Sequence, residues 1–103
     1  VSHKSDKKKK IDANLRRIYE QYLEDNSPNC YCCGVWSGRM DFSHLVPRNY
    51  SIALQDHPDN VVLKCRSCHN RWEDNDKTMP KYEELMDRVR ILDVAYYNYK
   101  LNR

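Results

Sequence analysis

No apolar run in this chain approaches the roughly 20 residues that a membrane-spanning helix needs, and the mean hydropathy of −0.98 is strongly polar. An apolar leader is missing too: the first residues, VSHKSDKKKK, are polar and then lysine-rich. A secretory signal is therefore not expected there, and the expected setting is cytoplasmic, with no membrane partner. The sequence carries no internal repeat. It also lacks the even cysteine count of a disulfide framework: the five cysteines, in a reducing compartment, read as metal ligands. A large charge excess is absent as well. The net charge of +3 permits a nucleic-acid partner without requiring one.

At 103 residues the chain is long enough for one domain with a modest core, and short enough that a bound metal would matter to its stability. Residues 1–10 read as a basic disordered arm, with Lys7, Lys8, Lys9 and Lys10 in one block. Residues 11–103 read as a single domain: a helix over about 11–25, a cysteine-framed core over about 30–74, and a helix over about 80–101. The first helix follows from Ile11, Leu15, Ile18 and Tyr22 at helical spacing, closed by the Asn26 to Asn29 turn signals. In the last, Leu85, Val89, Leu92, Tyr96 and Tyr99 step by alternating fours and threes. That stripe either packs on the core or forms a homodimer interface.

Cys30 and Cys33 followed by Gly34 make one CxxC knuckle, and Cys65 and Cys68 make another. In a knuckle two thiolates sit on a tight turn whose amides point at the sulfurs, and a following glycine lets the chain reverse. Two knuckles supply four thiolates, the closed tetrahedral set that Zn2+ takes in structural sites. Cys32 is the spare and reads as a small buried or half-exposed thiol. A closed site has no open coordination position, so any catalysis needs a second metal.

Between and just after the knuckles stand SHLVPR, DNVVLKC and CRSCHNRW, with sixteen positions from His44 to Asn60 and nine from Asn60 to His69. Over about Cys30 to Glu73 the sequence resembles the HNH endonucleases, phage-type members with a four-cysteine zinc frame in particular. The resemblance implies an α+β fold: a small ββα-metal (His-Me finger) core with a structural zinc site, flanked by N- and C-terminal helices. It implies hydrolysis of DNA phosphodiester bonds, by nicking or double-strand cleavage, with RNA not excluded as a partner, and the host cell cytoplasm as the setting if the chain is phage-encoded. His44, Asn60 and His69 take the catalytic-motif positions: His44 as general base, Asn60 tying the loop to the second strand, His69 as a ligand of Mg2+ or Mn2+.

The residue types suit that chemistry independently. Phosphodiester cleavage needs a base for water, a cation for the charged phosphorane, and basic groups for the strand. Unperturbed imidazole titrates at about 6.5. On a helix opened by His69, Glu73 shares its face at i+4 and is a candidate further ligand. Many relatives carry Asp or His before the base, where this chain has Ser43, a poor ligand for a hard cation. Asp41 faces the same way on a strand and either replaces it as metal ligand or, through a bulge, orients His44. Arg48, Lys64, Arg66 and Arg71 are candidate nucleic-acid contacts. Trp36 and Trp72 read as small-core anchors. The alternative function is a zinc-ribbon-like nucleic-acid-binding module that cuts nothing.

Overall fold

The computed structural model describes residues 6–36 and 38–103. The first helix, α1, runs Asp6–Asp25. Residues 6–10, expected in a disordered arm, thus form its opening turns, in keeping with the good helix propensity of lysine; residues 1–5 lie outside the described residues. The apolar stripe of α1 is only half-buried. It docks by aromatic contact, Tyr19 stacking on Phe42 at 4.1 Å and Tyr22 meeting the same ring edge-on at 5.7 Å.

Phe42 belongs to β1, Met40–His44, which pairs antiparallel with β2, Val61–Cys65, in the register Met40↔Cys65 to His44↔Val61. Every residue of β2 is buried. The first knuckle covers its other edge, the Tyr31 amide donating to the Leu63 carbonyl at 2.8 Å, so the short sheet presents no open edge there. Helix α2, Arg66–Glu73, follows β2 without a linker. Cys65 is its N-cap, its sulfur accepting from the Cys68 amide. The helix therefore opens at Arg66 rather than at His69, which stands one turn in. Its C-terminus is closed by Asn75 in the left-handed region (φ 56), with Asn75 N bonded to Trp72 O and Asp76 N to Arg71 O. This is a Schellman closure with asparagine in the glycine role.

The expected single C-terminal helix is two, α3 at Tyr82–Leu92 and α4 at Val94–Leu101. Asp93 divides them. Its backbone is extended, and its carboxylate accepts from the Tyr96 amide at 3.0 Å, capping α4. An aspartate favours an N-cap over a helix interior, so the spacing that suggested one helix is interrupted where it bends. Leu85, Val89 and Tyr96 are buried in the core with Trp72, Leu45, Val46 and Val62, whereas Tyr99 turns outward. Leu85, Val89 and Tyr96 of the stripe thus pack inward on the domain. No helix among the described residues is long and apolar enough to cross a membrane.

Candidate metal centres and the histidine site

The two knuckles meet. The sulfurs of Cys30, Cys33, Cys65 and Cys68 all lie within 4.8 Å of one another, and Cys33 Sγ is 3.8 Å from Cys65 Sγ. A tetrahedron with zinc–sulfur arms of about 2.3 Å has edges of about 3.8 Å, so the donor set fits a structural metal ion such as zinc. The expected amide pattern is present in both knuckles, Cys33 N pointing to Cys30 Sγ and Cys68 N to Cys65 Sγ, each at 3.5 Å. Gly34 sits at φ 78, and its amide bonds the Cys30 carbonyl at 2.9 Å. Burial opposes ionisation of Cys30, but the amides of Cys33, Cys65 and Cys32 outweigh it and bring the thiol down to about 6. Cys68 is driven the other way, by burial and then by its sulfur neighbours. A dication would relieve that conflict by stabilising all four sulfurs as thiolates. Cys32 stays outside the group; burial pushes it up to about 11, which keeps it a thiol.

On one face of the hairpin, Asp41 Oδ2 lies 3.1 Å from His69 Nδ1 and 3.5 Å from Arg66 Nε. The His69 hydrogen bond, then the Arg66 and Arg39 charges, hold the Asp41 carboxyl below its ordinary range. Glu73 Oε1 stands 3.4 Å from the other ring nitrogen, His69 Nε2. Cis donors on an octahedral ion with arms of about 2.1 Å are about 3.0 Å apart. The Asp41–His69 separation matches that edge and is equally an ordinary hydrogen-bond length. Glu73 does not converge with them: it stands at the far ring nitrogen, 3.4 Å away. Among the described residues, the four cysteines are the one group of three or more ligating side chains drawn to a common point.

Ser43 points to the same face, but its hydroxyl accepts from Lys64 Nζ at 3.0 Å in a buried contact. Lys64 is 0% exposed and lies 4.9 Å from the centre of the Trp72 ring. The expected strand contact at Lys64 is thereby corrected: the residue shares the face of Asp41, but Trp72 of α2 covers its ammonium, so no backbone phosphate reaches it. Arg71 is engaged by Asp76 at 2.7 Å and Thr78 at 3.3 Å, bracing the α2 closure. Arg66 and Arg48 remain exposed.

His44 belongs to the opposite face. Its Nε2 is 2.7 Å from the Gln55 carbonyl oxygen. A carbonyl only accepts, so Nε2 holds the proton and Nδ1 keeps its lone pair. The ring borders a cavity of about 220 Å3 between α1 (Lys8, Ile11, Leu15) and the loop bearing Arg48 and Gln55. The orienting partner of His44 is thus the Gln55 backbone, and Asp41 serves His69 instead. Asn60, 0% exposed, ties the intervening loop: its Oδ1 accepts from Val46 N at 2.8 Å, and its Nδ2 donates to Val46 O at 3.1 Å and Leu54 O at 3.0 Å. That loop carries Gln55, so Asn60 acts on His44 through the backbone. Two features escaped the sequence reading. Lys100 is buried with its Nζ 4.1 Å above the Trp72 ring and bonded to the Trp72 carbonyl at 3.1 Å, and Trp36, expected in the core, is 66% exposed. No protein-family model, curated protein or solved structure matches the chain.

Proposed function

We propose that the chain is a metal-dependent endonuclease of the HNH type, hydrolysing DNA phosphodiester bonds with His44 as general base. The observation that carries this reading is the 2.7 Å contact from His44 Nε2 to the Gln55 carbonyl, which leaves Nδ1 free to take a proton. The order of two antiparallel strands followed directly by a helix, with Asn60 locking the connecting loop, supports the ββα-metal assignment. His44 Nδ1 removes a proton from water, and the water oxygen bonds to phosphorus. The bond from phosphorus to the 3′ oxygen breaks, and that oxygen takes a proton from solvent, giving 5′-phosphate and 3′-hydroxyl ends. Asp41 and His69, on the face of the hairpin opposite His44, would hold Mg2+ or Mn2+, which would supply charge stabilisation to a phosphate passing the end of β1. Arg48 beside His44 and Arg66 beside Asp41 hold the backbone without reading sequence, so binding weakens as salt rises.

One observation favours the second reading, a zinc-ribbon-like module that binds nucleic acid without cutting: Ser43 stands where a ligand is expected, and Lys64 occupies its hydroxyl. Supercoiled plasmid incubated with Mg2+ or Mn2+, with and without EDTA, separates the two. The endonuclease reading expects metal-dependent nicking that His44→Ala lowers by on the order of 10²–10⁴, with zinc content and fold retained. Undiminished nicking by His44→Ala would remove the base assignment. Plasmid binding with no cleavage under either ion would leave the binding module.

A further inference from the structure

We propose that Trp36 is a stacking platform for an unpaired nucleobase, so that the protein favours nucleic acid with single-stranded stretches over intact duplex. The proposal rests on the nucleic-acid reading above and names its substrate class.

Trp36 is the most exposed aromatic side chain among the described residues, at 66%, and Val35 beside it is 52% exposed. Its indole has no ring or hydrogen-bond partner among them, unlike Trp72, which is buried and bonded through Nε1 to the Leu45 carbonyl. The backbone leading to it is held firmly. The Cys30 amide donates to the Val35 carbonyl at 2.8 Å, and Asn29 Nδ2 donates to the Gly34 carbonyl at 2.9 Å. The loop therefore grows out of the cysteine knuckle, which fixes the backbone up to Val35, and the ordering cost on binding falls on the Trp36 side chain itself.

Arg39 follows three residues after Trp36, within about 11 Å of extended chain, and acts on Asp41 together with Arg66. Arg66 is brought to the same end of the hairpin by the pairing of Met40 with Cys65. Asp41 is engaged by His69 and Arg66, and Arg39 brings a second guanidinium to this end of the hairpin. An exposed indole beside backbone-holding arginines is the chemistry of single-strand recognition. Every base offers a π face, and an intact duplex keeps those faces stacked inside.

The test is fluorescence anisotropy on the full zinc-loaded chain, without magnesium or manganese so that nothing is cut. The probes are a labelled DNA single strand, its RNA counterpart and the blunt DNA duplex. Trp36→Ala is expected to bind the single strands about tenfold more weakly, since a base–aromatic stack is worth roughly one such factor or more, with duplex binding unchanged. Trp36→Phe restores most of the loss. The DNA and RNA arms show which backbone is preferred. Stacking also quenches the exposed indole, and that quenching disappears in Trp36→Phe, where Trp72 alone emits. Single-strand binding by Trp36→Ala within twofold of the parent, or an equal loss on the duplex, overturns the platform while leaving the nucleic-acid reading intact. A parent protein that binds none of the three probes overturns both.

Discussion

Lys64 Nζ donates to Ser43 Oγ over 3.0 Å, and both side chains are buried. The pair spans the two strands beneath α2, and burial pulls the lysine down to about 8. Ser43→Ala leaves the ammonium without this acceptor and is expected to cost about 1–3 kcal/mol. Lys64→Met removes both demands at once and is expected to be near neutral or stabilising. Urea unfolding of the two variants checks the contrast, and equal destabilisation by both would contradict it.

Asp41 and Glu73 approach opposite nitrogens of His69, which divides their roles. Asp41→Ala removes a direct donor and is expected to lose divalent-ion binding at this site. Glu73→Gln disturbs only the orientation of the ring and is expected to weaken it by about 10- to 100-fold at most. Mn2+ titration followed by electron paramagnetic resonance measures both. A greater loss in Glu73→Gln than in Asp41→Ala would reverse the assignment.

The four-sulfur centre joins the segment before β1 to the junction of β2 and α2. Without an ion, those pieces are held by a small core and by thiols whose ionisation tendencies conflict. Cys65→Ser removes a metal donor while its hydroxyl can still cap α2, so the variant is expected to unfold for want of the ion, as does the parent when a strong chelator strips the metal. Circular dichroism with zinc readdition reads both effects. A native spectrum in the metal-free protein would show the centre to be dispensable.

What could be read from the sequence was whatever has a fixed local spacing. The CxxC pairs, the apolar period of the first helix and the order of His44, Asn60 and His69 depend on neighbours in the chain. The sulfurs, the hairpin and the Asn60 lock lie where that spacing anticipated. The missed features depend on what arrives from elsewhere. The inward turn of Lys64 needs α2 and Trp72 above it. The division of the last helix follows from Asp93, whose capping role competes with an otherwise continuous apolar stripe. Trp36 was expected in the core for want of other bulk near the knuckle, but Tyr82, Leu85, Met86 and Val89, from a distant helix, fill that role. The face opposite His69 that His44 occupies follows from strand alternation, and the partner it finds there, a backbone carbonyl, leaves no mark on the sequence.

Lys100 gives the fold a predictable dependence on pH. Burial, and then the charge of Arg103, pull its ammonium down to about 8 from an ordinary 10.5. The unfolded chain holds that proton up to the ordinary value, whereas the folded chain releases it near 8, so between the two the unfolded state binds more protons. Stability therefore rises with pH across that window, while below it both states are protonated and the cost of the buried ammonium is carried in full. Cys32 acts in the opposite sense above about 9, because burial keeps its thiol protonated after the unfolded chain has ionised. Lys64, which burial also pulls down to about 8, titrates between about pH 7 and about pH 9 in both proteins, so their difference over that interval isolates Lys100. There the zinc-loaded parent is expected to gain about 1 kcal/mol relative to Lys100→Met, which has no proton to lose. Urea unfolding of the two proteins at both ends of the interval measures the difference, and parallel profiles would show that the folded protein holds the Lys100 proton as firmly as the unfolded one.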